Sequence, residues 1–400
     1  MKRQVVLSVE QALTMTYASL RMVHLGWRVI RLEPTPVAGR KSRGDPNRYV
    51  GRPVAGDDRH SYFVAPNTGK EAIAVDLKQP EGRELVTRII KQLNVDVFCT
   101  NTLPGRHQEL GIDYKTLRAA REDLIWCCVS AMGLDNPKVP GYDPVIQALC
   151  GVMDLTGQPD GPPLLCGLPL VDLKAGDEAF LQIVLALAER AETGRGKQID
   201  VSMAQAIVSW LHTFLPMLDM DSPPEELKRS GNEHRQFVPV NAYQTKDGFI
   251  YMAIGSDAQW SRFIRKSWFT SLAQERFSSN EGRRKDKSEL HRLIEAITSQ
   301  HDSKEITAVL AEAGIPHSPI TPIEEVPGLD FVKKNALHTT APDGRSIRLP
   351  PPAARTGHLD QIKGELPFSP SYGENTDDLL SEIGLSGTEI ASLREQGVVA

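Results

Sequence analysis

The segment VVLSVEQALTMTYASLRMVHLGWRVIRLE (residues 5–33) decides the fold class, because its hydrophobic pattern changes twice within one short stretch. Residues 5–8 are an apolar run of strand length. Residues 9–24 repeat their apolar side chains with helical spacing, and residues 27–33 again have the composition of a strand. This order of strand, helix and strand predicts two parallel neighbours in an α/β sheet.

Three further strand-like runs extend the same pattern toward residue 130. They are AIAVDL (72–77), DVFCT (96–100) and LIWCCVS (124–130). A helix is predicted near residues 80–93, where Leu85, Ile89 and Leu93 recur at a spacing of four. Strands separated by helix-length segments predict a mostly parallel, Rossmann-like sheet.

The rest of the chain is mainly helical and contains one predicted strand pair. The pair flanks Asp247-Gly248, a two-residue turn signal. Helices are predicted over residues 173–192, 202–219, 257–276 and 287–313 and in the polar tail, 374–397. Two proline-rich segments, SPPEE (222–226) and PITPIEEVPG (319–328), are interpreted as crossings between domains.

Length and composition bound the function class. At 400 residues the chain is expected to form two domains, or a large domain with a smaller insertion. The formal charge of −5 gives no basic field for nucleic acid, and no apolar run is long enough to cross a bilayer. The N-terminal segment has no sustained apolar core, so no signal peptide is expected. Five cysteines without a C-x-x-C pair indicate reduced thiols and a cytoplasmic protein.

Several familiar site motifs are missing from the sequence. No G-x-G-x-x-G follows the first strand, which argues against an NAD-dependent dehydrogenase, and the absence of G-x-S-x-G argues against an α/β-hydrolase. TGRGK (193–197) lacks the first glycine and the Ser or Thr of a P-loop. It is interpreted as a helix-ending turn in which Gly194 and Gly196 permit positive φ. The ten histidines have no ligand spacing, so no metal is expected.

The segment PLVDLKAGDEAF (169–180) places an aspartate, Asp172, at the start of a predicted helix. In one interpretation its carboxylate caps the helix by accepting hydrogen bonds from the first free N–H groups. In the other, the positive end of the helix, worth about 0.3–1 kcal/mol to an anion, keeps the carboxylate ionised and nucleophilic. Backbone N–H groups left uncrowded by Ala175 and Gly176 would then cradle a developing oxyanion. The local pattern alone leaves both interpretations open.

Seven motifs in a fixed order carry a resemblance to a known family. They are GDPNR (44–48), NTGKEAIAVDL (67–77), NTLPGRHQELGIDY (101–114), GYDPVIQALCGVMDLTG (141–157), PLVDLKAGDEAF (169–180), ERAETGRGKQIDVSMAQA (189–206) and YGENTDDLLSEIGLS (372–386). Together they resemble the class III CoA-transferase family, which includes formyl-CoA and carnitine CoA-transferases. The N-terminal segment VLSVEQALTMTY, together with RLEPTP and GDPNR, is similar in sequence to segments of the succinyl-CoA:benzylsuccinate transferase subunits.

The resemblance implies a fold and a mechanism. The fold has a large Rossmann-like CoA-binding domain built from both chain ends, residues 1–221 and 329–400, and a small α+β domain at residues 222–328. Two ring-shaped subunits interlock as a dimer. The family nucleophile is an aspartate that begins a helix, and Asp172 matches it. In the family scheme this carboxylate attacks a thioester to form a mixed anhydride, CoA thiolate then gives an aspartyl thioester, and the acceptor acid reverses the cycle. CoA thioesters are therefore the expected substrates, with no permanently bound cofactor.

The resemblance also suggests residues that contact CoA. The first long loop, TPVAGRKSRGDPNR (35–48), lies beyond a strand end, where open α/β sheets bind ligands. Its cations are Arg40, Lys41, Arg43 and Arg48. A solvated basic loop is the alternative. Lys70 matches the family's N-x-x-K lysine and is expected near the phosphates. Arg106 is a candidate substitute for a family arginine whose place is taken by Glu109. Gln147 matches the Q-A-x-x-G segment, with a structural hydrogen bond as the alternative role.

The sequence departs from the family at two further places. The usual Gly-Pro early in the first helix is Met15-Thr16, and the glycine-rich flap aligns with NEHRQ (232–236), which has no glycine. His234 and Arg235 are therefore candidates to bind a second carboxylate of the substrate. A polar surface loop is the alternative.

These observations predict an acid:CoA transferase with succinyl-CoA as donor and a substituted succinate, such as benzylsuccinate, as acceptor. One alternative is a non-catalytic partner subunit of a heteromeric transferase. Another is an acyl-CoA racemase, which needs a histidine base where Tyr142 stands; phenols ionise only near pH ~10 and are poor bases at neutral pH. The expected partners are the acyl-CoA, the acid and an identical or related subunit, with no nucleic acid and no membrane.

Overall fold

One sheet of six parallel strands organises the larger part of the protein. The computed structural model describes residues 3–36 and 42–400. From one edge to the other, the strands of this sheet are Glu71–Ala74, Arg28–Glu33, Val5–Val9, Val97–Thr100, Ile125–Ser130 and Lys197–Ser202. Each pair of neighbours is parallel. The predicted α/β class with a Rossmann-like parallel sheet is confirmed.

The strand order defines a point at which the direction of winding reverses. Numbered along the chain, the strands stand in the order 3-2-1-4-5-6, so the reversal falls between Val5–Val9 and Val97–Thr100. Open α/β sheets bind ligands outside the carboxyl ends of the strands at such a point. The segments that follow these two strands are joined there, because Gln11 and Asn101 exchange two hydrogen bonds of 3.1 and 2.8 Å.

The strand register aligns the apolar core. Leu7 of the central strand lies beside Ile30 on one side and Phe98 on the other, and all three side chains are fully buried. Cys99, Cys127 and Cys128 are buried thiols of the same sheet, and burial raises the pKa of each. The cytoplasmic location inferred from the cysteines stays a prediction.

The larger of two compact units comprises residues 1–150, 167–213 and 331–400. Its α-helices are Thr14–His24, Ser61–Val64, Pro80–Gln92, Tyr114–Arg118, Asp143–Leu149, Leu170–Thr193, Met203–Val208, Gly357–Gln361, Thr376–Glu382 and Gly387–Glu395. Two small antiparallel pairs belong to the same unit, Pro53–Ala55 with Arg59–His60 and Leu337–Thr340 with Ser346–Leu349. Thr14–His24 is called the first helix below, and Leu170–Thr193 the Asp172 helix.

The smaller unit comprises residues 151–166 and 214–330. Its sheet is antiparallel, and the predicted strand pair at Asp247-Gly248 is confirmed. The strands in spatial order are Val240–Thr245, Gly248–Ala253 and His317–Pro319. Its α-helices are Val152–Leu155, Asp257–Phe263, Asn280–Lys285, Lys287–Thr298 and Ser303–Glu312. The chain then passes through the helix Asp330–Asn335. The domain limits drawn from the sequence at 221/222 and 328/329 stay predictions.

The C-terminal tail belongs to the larger unit and lies along one edge of its sheet. The N–H of Asp76 donates to the carbonyl of Val398 at 2.8 Å, and the N–H of Ala72 donates to the side chain of Asn375 at 2.9 Å. Val75 and Val399 form an isolated antiparallel bridge. The large domain is therefore built from both ends of the chain, as the resemblance implied.

Several predicted helices are shorter than their sequence patterns suggest or are divided. The helix predicted over 257–276 is α-helical only over Asp257–Phe263, and those over 287–313 and 374–397 each consist of two helices. The first helix begins at Thr14 rather than near residue 9, because Ala12 has a left-handed φ of 58° and the preceding residues form a loop. The helix predicted over 202–219 is α-helical only over Met203–Val208, and short 3₁₀ turns follow. Leu211 departs from helical geometry with a ψ of 21°, and Pro216 lacks the N–H that a helix would need further along.

The last strand of the sheet, Lys197–Ser202, was not predicted from the sequence. It lies at the edge, and Lys197, Gln198 and Asp200 are exposed, so it lacks the apolar run that marks the other strands. The turn before it was predicted correctly, since Gly194 ends the Asp172 helix with a φ of 68°. Gly196 does not adopt a positive φ. The position requires a glycine because the backbone of Leu124 passes directly against it and leaves no space for a Cβ.

The first helix and the Asp172 helix pack closely through a glycine. A Cβ on Gly176 would lie 2.7 Å from the carbonyl oxygen of Thr14 and 3.0 Å from the Tyr17 ring. Ala175 and Ala179 are buried on the same side. Small residues along this face let the two backbones approach, and the approach fixes the position of Thr14.

Replacing Gly176 by alanine should therefore separate the two helices. We expect Gly176→Ala to lower the free energy of unfolding by about 1–3 kcal/mol, the usual cost of overpacking, and to be visible in urea titrations. Gly387→Ala is the matched control, because Gly387 is also helical and nothing lies within 4 Å of its added Cβ. An unchanged urea midpoint for Gly176→Ala would contradict the close contact.

Candidate active site

Asp172 lies in the first turn of its helix and is not the helix cap. The helix begins at Leu170, one turn earlier than predicted. The N–H groups of Val171 and Asp172 donate to Oδ2 of Asp143 at 2.7 and 3.1 Å. The cap is therefore supplied by a distant residue, and the interpretation of Asp172 as a capping residue is wrong. This arrangement leaves the carboxylate of Asp172 available for other contacts.

Asp143 is itself held in place by Gln147. Asp143 starts the helix Asp143–Leu149 and is buried. Its Oδ1 accepts from Nε2 of Gln147 at 2.6 Å, and the same Nε2 lies 3.4 Å from the carbonyl of Leu168. The structural hydrogen bond considered for Gln147 is therefore present, and it supports Asp143.

The carboxylate of Asp172 meets the hydroxyl of Thr14, which donates to Oδ1. Burial raises the pKa of Asp172 to about 6; the negative charge of Asp143 acts in the same direction and the Thr14 bond opposes it. At neutral pH the group is mostly ionised, yet it is more basic than an ordinary aspartate. A partly desolvated carboxylate of this kind is suited to nucleophilic attack.

The positive end of the first helix lies beside this carboxylate. Thr14 is the first residue of that helix, and Leu13 at the N-cap position offers no side-chain hydrogen bond. The first-turn N–H groups have no intrahelical acceptors. Such a helix end stabilises negative charge. The backbone N–H groups near Ala175 and Gly176 were expected to stabilise an oxyanion. That expectation is wrong, because these residues lie inside the Asp172 helix and against the first helix.

The loop before the first helix contains a strained residue and is held by hydrogen bonds to other parts of the larger unit. Ala12 is left-handed, and its N–H donates to Oδ1 of Asp45 at 3.3 Å. Gln11 is bonded to Asn101, across the reversal point of the sheet. These contacts hold Thr14 near the carboxyl end of the central strand, Val5–Val9. Sequence reasoning missed Thr14 and Asp143, since neither contact with residues 171–172 is local in the chain.

Lys70 is buried in an internal ion pair and does not present its charge to a phosphate. Its Nζ lies 2.7 Å from Glu10, 2.9 Å from the carbonyl of Thr16 and 3.3 Å from Asn67. Burial lowers the pKa of Lys70 to about 8, and the charge of Glu10 partly offsets that effect. The geometry does not support the CoA contact expected from the sequence.

The cations of the first long loop have different surroundings. Arg40 and Lys41 lie outside the described residues. Arg48 is fully buried and makes two bonds to Glu33, of 2.8 and 2.5 Å. Arg43 is 41% exposed and lies 3.7 Å from Asp57. Arg43 therefore remains a candidate for CoA binding, whereas Arg48 stabilises the interior.

Arg106 is presented at the carboxyl edge of the sheet. It ends the short 3₁₀ turn Pro104–Arg106, which follows the strand Val97–Thr100. Its side chain is 45% exposed and makes only a long ion pair of 3.8 Å with Glu109. This position suits a phosphate contact.

His234 and Arg235 belong to the smaller unit, where both side chains also make local contacts. Nδ1 of His234 accepts from the N–H groups of Gln236 and Phe237 at 3.1 and 3.2 Å. Arg235 donates to the carbonyl of Lys228 at 3.1 and 2.7 Å, and its guanidinium lies 4.8 Å from the centre of the Phe214 ring. These hydrogen bonds fix the conformation of the turn that contains His234 and Arg235.

The described residues contain no grouped metal ligands and no apolar helix long enough to span a membrane. No three His, Cys, Asp or Glu side chains there are grouped as a metal site. The expected absence of a metal stays a prediction. No helix in residues 3–36 and 42–400 is long and apolar enough to span a membrane.

Comparison with known proteins gives consistent matches over the whole chain. A model of CoA-transferase family III matches residues 2–376. A succinyl-CoA:glutarate CoA-transferase of Mus musculus is 28% identical over 389 residues, covering 94% of this chain and 85% of that protein. A succinate–glutarate CoA-transferase of Agrobacterium fabrum is 29% identical over 387 residues, covering 94% of both. The crystal structure of a CAIB/BAIF family protein from Brucella suis is 29% identical with a TM-score of 0.82, covering 95% of this chain and 98% of that one.

A parallel sheet with a partly desolvated carboxylate beside its reversal point defines an α/β enzyme equipped for acyl transfer. The chain belongs to CoA-transferase family III. It is an enzyme that moves CoA between an acyl-CoA thioester and a carboxylic acid.

Replacing Lys70 tests whether its role is structural. We expect Lys70→Met to lower the free energy of unfolding by about 3–5 kcal/mol, because Glu10 is left buried and unpaired. Urea titration measures this loss. Arg106→Met is the matched control; its stability should change by less than about 0.5 kcal/mol, while its KM for acyl-CoA rises. A Lys70→Met protein of normal stability with a raised KM for acyl-CoA would return Lys70 to the phosphate site.

Proposed function

We propose that this chain transfers CoA from succinyl-CoA to a dicarboxylic acid through covalent intermediates on Asp172. The observation that carries the proposal is the state of the Asp172 carboxylate. It is released from helix capping by Asp143, it is partly buried with a raised pKa of about 6, and it lies against the uncapped end of the first helix.

The steps balance without an external acid, base or metal. A carboxylate oxygen of Asp172 attacks the thioester carbonyl, the carbon–sulfur bond breaks, and CoA thiolate leaves a mixed anhydride. The thiolate then attacks the Asp172 carbonyl of that anhydride, which releases the donor acid and forms an aspartyl thioester. The acceptor carboxylate attacks this thioester, and the returning thiolate attacks the acceptor acyl group and restores Asp172. Each oxyanion develops beside the Thr14 hydroxyl and the positive end of the first helix.

A dicarboxylic acid is supported by Arg235 and by the relatives. Burial lowers the pKa of Arg235, and no acidic side chain of the described residues offsets that effect. A partly desolvated guanidinium without an acidic neighbour favours binding of a carboxylate. The mouse and Agrobacterium relatives are named for succinyl-CoA or succinate and for glutarate. The choice of a substituted succinate such as benzylsuccinate over glutarate rests on the N-terminal resemblance alone.

A second subunit is proposed from exposed apolar side chains of the larger unit. Leu181 and Leu185 on the Asp172 helix are 49% and 46% exposed, and Leu149, Val145 and Trp210 are 63%, 58% and 58% exposed. Exposed apolar side chains that recur one turn apart, as at Leu181 and Leu185, favour a protein–protein contact. We favour an identical subunit, in the interlocked form of the family. Determining the mass of the purified chain in solution and its activity without other proteins separates this from the non-catalytic partner subunit.

The first functional prediction concerns the Asp172 adduct. Incubation with succinyl-CoA and hydroxylamine should convert Asp172 to a hydroxamate, which peptide mass spectrometry detects. Asp172→Asn should abolish this adduct and lower kcat by roughly three orders of magnitude or more, because the nucleophile is lost. Glu178→Gln, on the same helix, should keep both the adduct and the activity.

The proposed attack by ionised Asp172 also predicts how kcat/KM depends on pH. The attacking form of Asp172 is ionised, and its pKa is about 6. The value of kcat/KM should therefore be constant above about pH 7 and fall as the pH decreases through 6. Full activity of Asp172→Asn, or an adduct on another residue, would sink the mechanism.

The second functional prediction concerns the acceptor. We expect Arg235→Gln to raise KM for succinate and glutarate by about 10–100-fold, the value of one charge-assisted hydrogen bond, while turnover of a monocarboxylate changes little. Arg229→Gln is the control in the same unit, since Arg229 already pairs with Asp154 at 2.8 Å. Equal effects on dicarboxylates and monocarboxylates, or none on either, would reduce the NEHRQ loop to a polar surface turn.

A further inference from the structure

We propose that Asp143 is a positioning residue for the reaction: it occupies the N–H groups at the start of the Asp172 helix, so that the nucleophilic carboxylate is directed to Thr14 instead of to its own helix. This inference rests on the proposed role of Asp172 as nucleophile. It assigns a task to a residue that makes no direct contact with the reacting atoms.

Every N–H group in the first turn of the Asp172 helix has an acceptor. Leu170 donates to the carbonyl of Leu168 at 2.8 Å, and Leu173 donates to the carbonyl of Pro169 at 3.1 Å. The two between them, Val171 and Asp172, donate to one oxygen of Asp143. The helix end therefore has no free donor to which the Asp172 side chain could turn.

Without Asp143 the same helix end would compete for the nucleophile. Acidic side chains in the first turn of a helix commonly reach back to free N–H groups, and the positive helix end favours their ionised form. A carboxylate bound in that way is less basic and less nucleophilic. It would also point along its own helix and away from the uncapped end of the first helix.

Asp143 is built for this task. It is 5% exposed, and its two oxygens have different donors: Oδ2 takes the helix N–H groups, while Oδ1 takes the amide of Gln147. Its charge also contributes to the raised pKa of Asp172. Asp143 thus acts in two ways, by removing competing donors and by placing a like charge near the nucleophile.

The test compares three variants by pH profile and by the rate of Asp172 adduct formation with succinyl-CoA. Asp143→Asn keeps an oxygen for the two N–H groups and removes the charge. We expect its acidic limb to move to lower pH by about 0.5–1 unit, with a modest loss of rate at high pH. Asp143→Ala frees the N–H groups. We expect its adduct rate to fall by about 100-fold with KM for succinyl-CoA changed less than about threefold, because orientation of the nucleophile is lost while binding is kept.

Asp113→Asn is the matched control. Asp113 caps the helix Tyr114–Arg118 through the N–H of Thr116, so the variant also alters a capping aspartate. It should leave the pH limb and the adduct rate unchanged. A merely structural role for Asp143 would give the same result as this control, with lower stability and an unmoved pH limb.

Two failures remain distinguishable. If the wild-type protein forms no adduct on Asp172, the proposed function and this inference both fall. If the wild type forms the adduct and folded Asp143→Asn has its pH limb and rate unchanged, only the role of Asp143 is overturned. Asp143→Asn keeps the shape of the side chain, so it decides the question even where Asp143→Ala does not fold.

Discussion

The contact between the first helix and the Asp172 helix brings together the two groups on which the proposed reaction depends. Thr14 and Asp172 are 158 positions apart in the chain, and only close packing of their helices brings the hydroxyl to the carboxylate. Gly176 permits that approach, since any larger residue would meet the backbone of Thr14. The segment KAGDEAF is thus explained by packing. Its small residues leave space for a neighbouring backbone, and the proposed nucleophile lies one turn earlier.

A second constraint holds the first helix in register with the sheet. Seven charged side chains are buried behind the carboxyl ends of the first two strands: Glu10, Arg31, Glu33, Asp45, Arg48, Asp58 and Lys70. They are paired with one another, for example Lys70 with Glu10 at 2.7 Å and Arg31 with Asp45 at 3.0 Å. Buried pairs of this kind add little net stability but are costly to break. Asp45 also binds the strained Ala12, so the cluster shapes the loop that ends at Thr14.

The sequence allowed the sheet to be predicted, because most of its strands are local apolar patterns, whereas Asp172 was chosen as the candidate nucleophile from the family resemblance. Strands such as Ile125–Ser130 are apolar runs, and Asp172 stands at a clear change from apolar run to helix. The edge strand Lys197–Ser202 was missed because its exposed residues are polar. Lys70 shows a different difficulty, since its expected CoA contact stays a prediction that the geometry does not favour. Its partner Glu10 lies 60 positions away, and no local pattern distinguishes a lysine that binds a phosphate from one that is neutralised inside the protein.

The course of the chain has a consequence for biosynthesis. The outer strand Glu71–Ala74 is made early, yet its free side is covered by residues 375 and 398–400 at the far end of the chain. While the ribosome is still translating, this strand is an open edge of the kind that recruits other strands. The smaller unit is complete once residue 330 has been made, whereas the larger one also needs residues 331–400. A chain that stops short of residue 375 would therefore keep an uncovered sheet edge that is prone to pair with other strands.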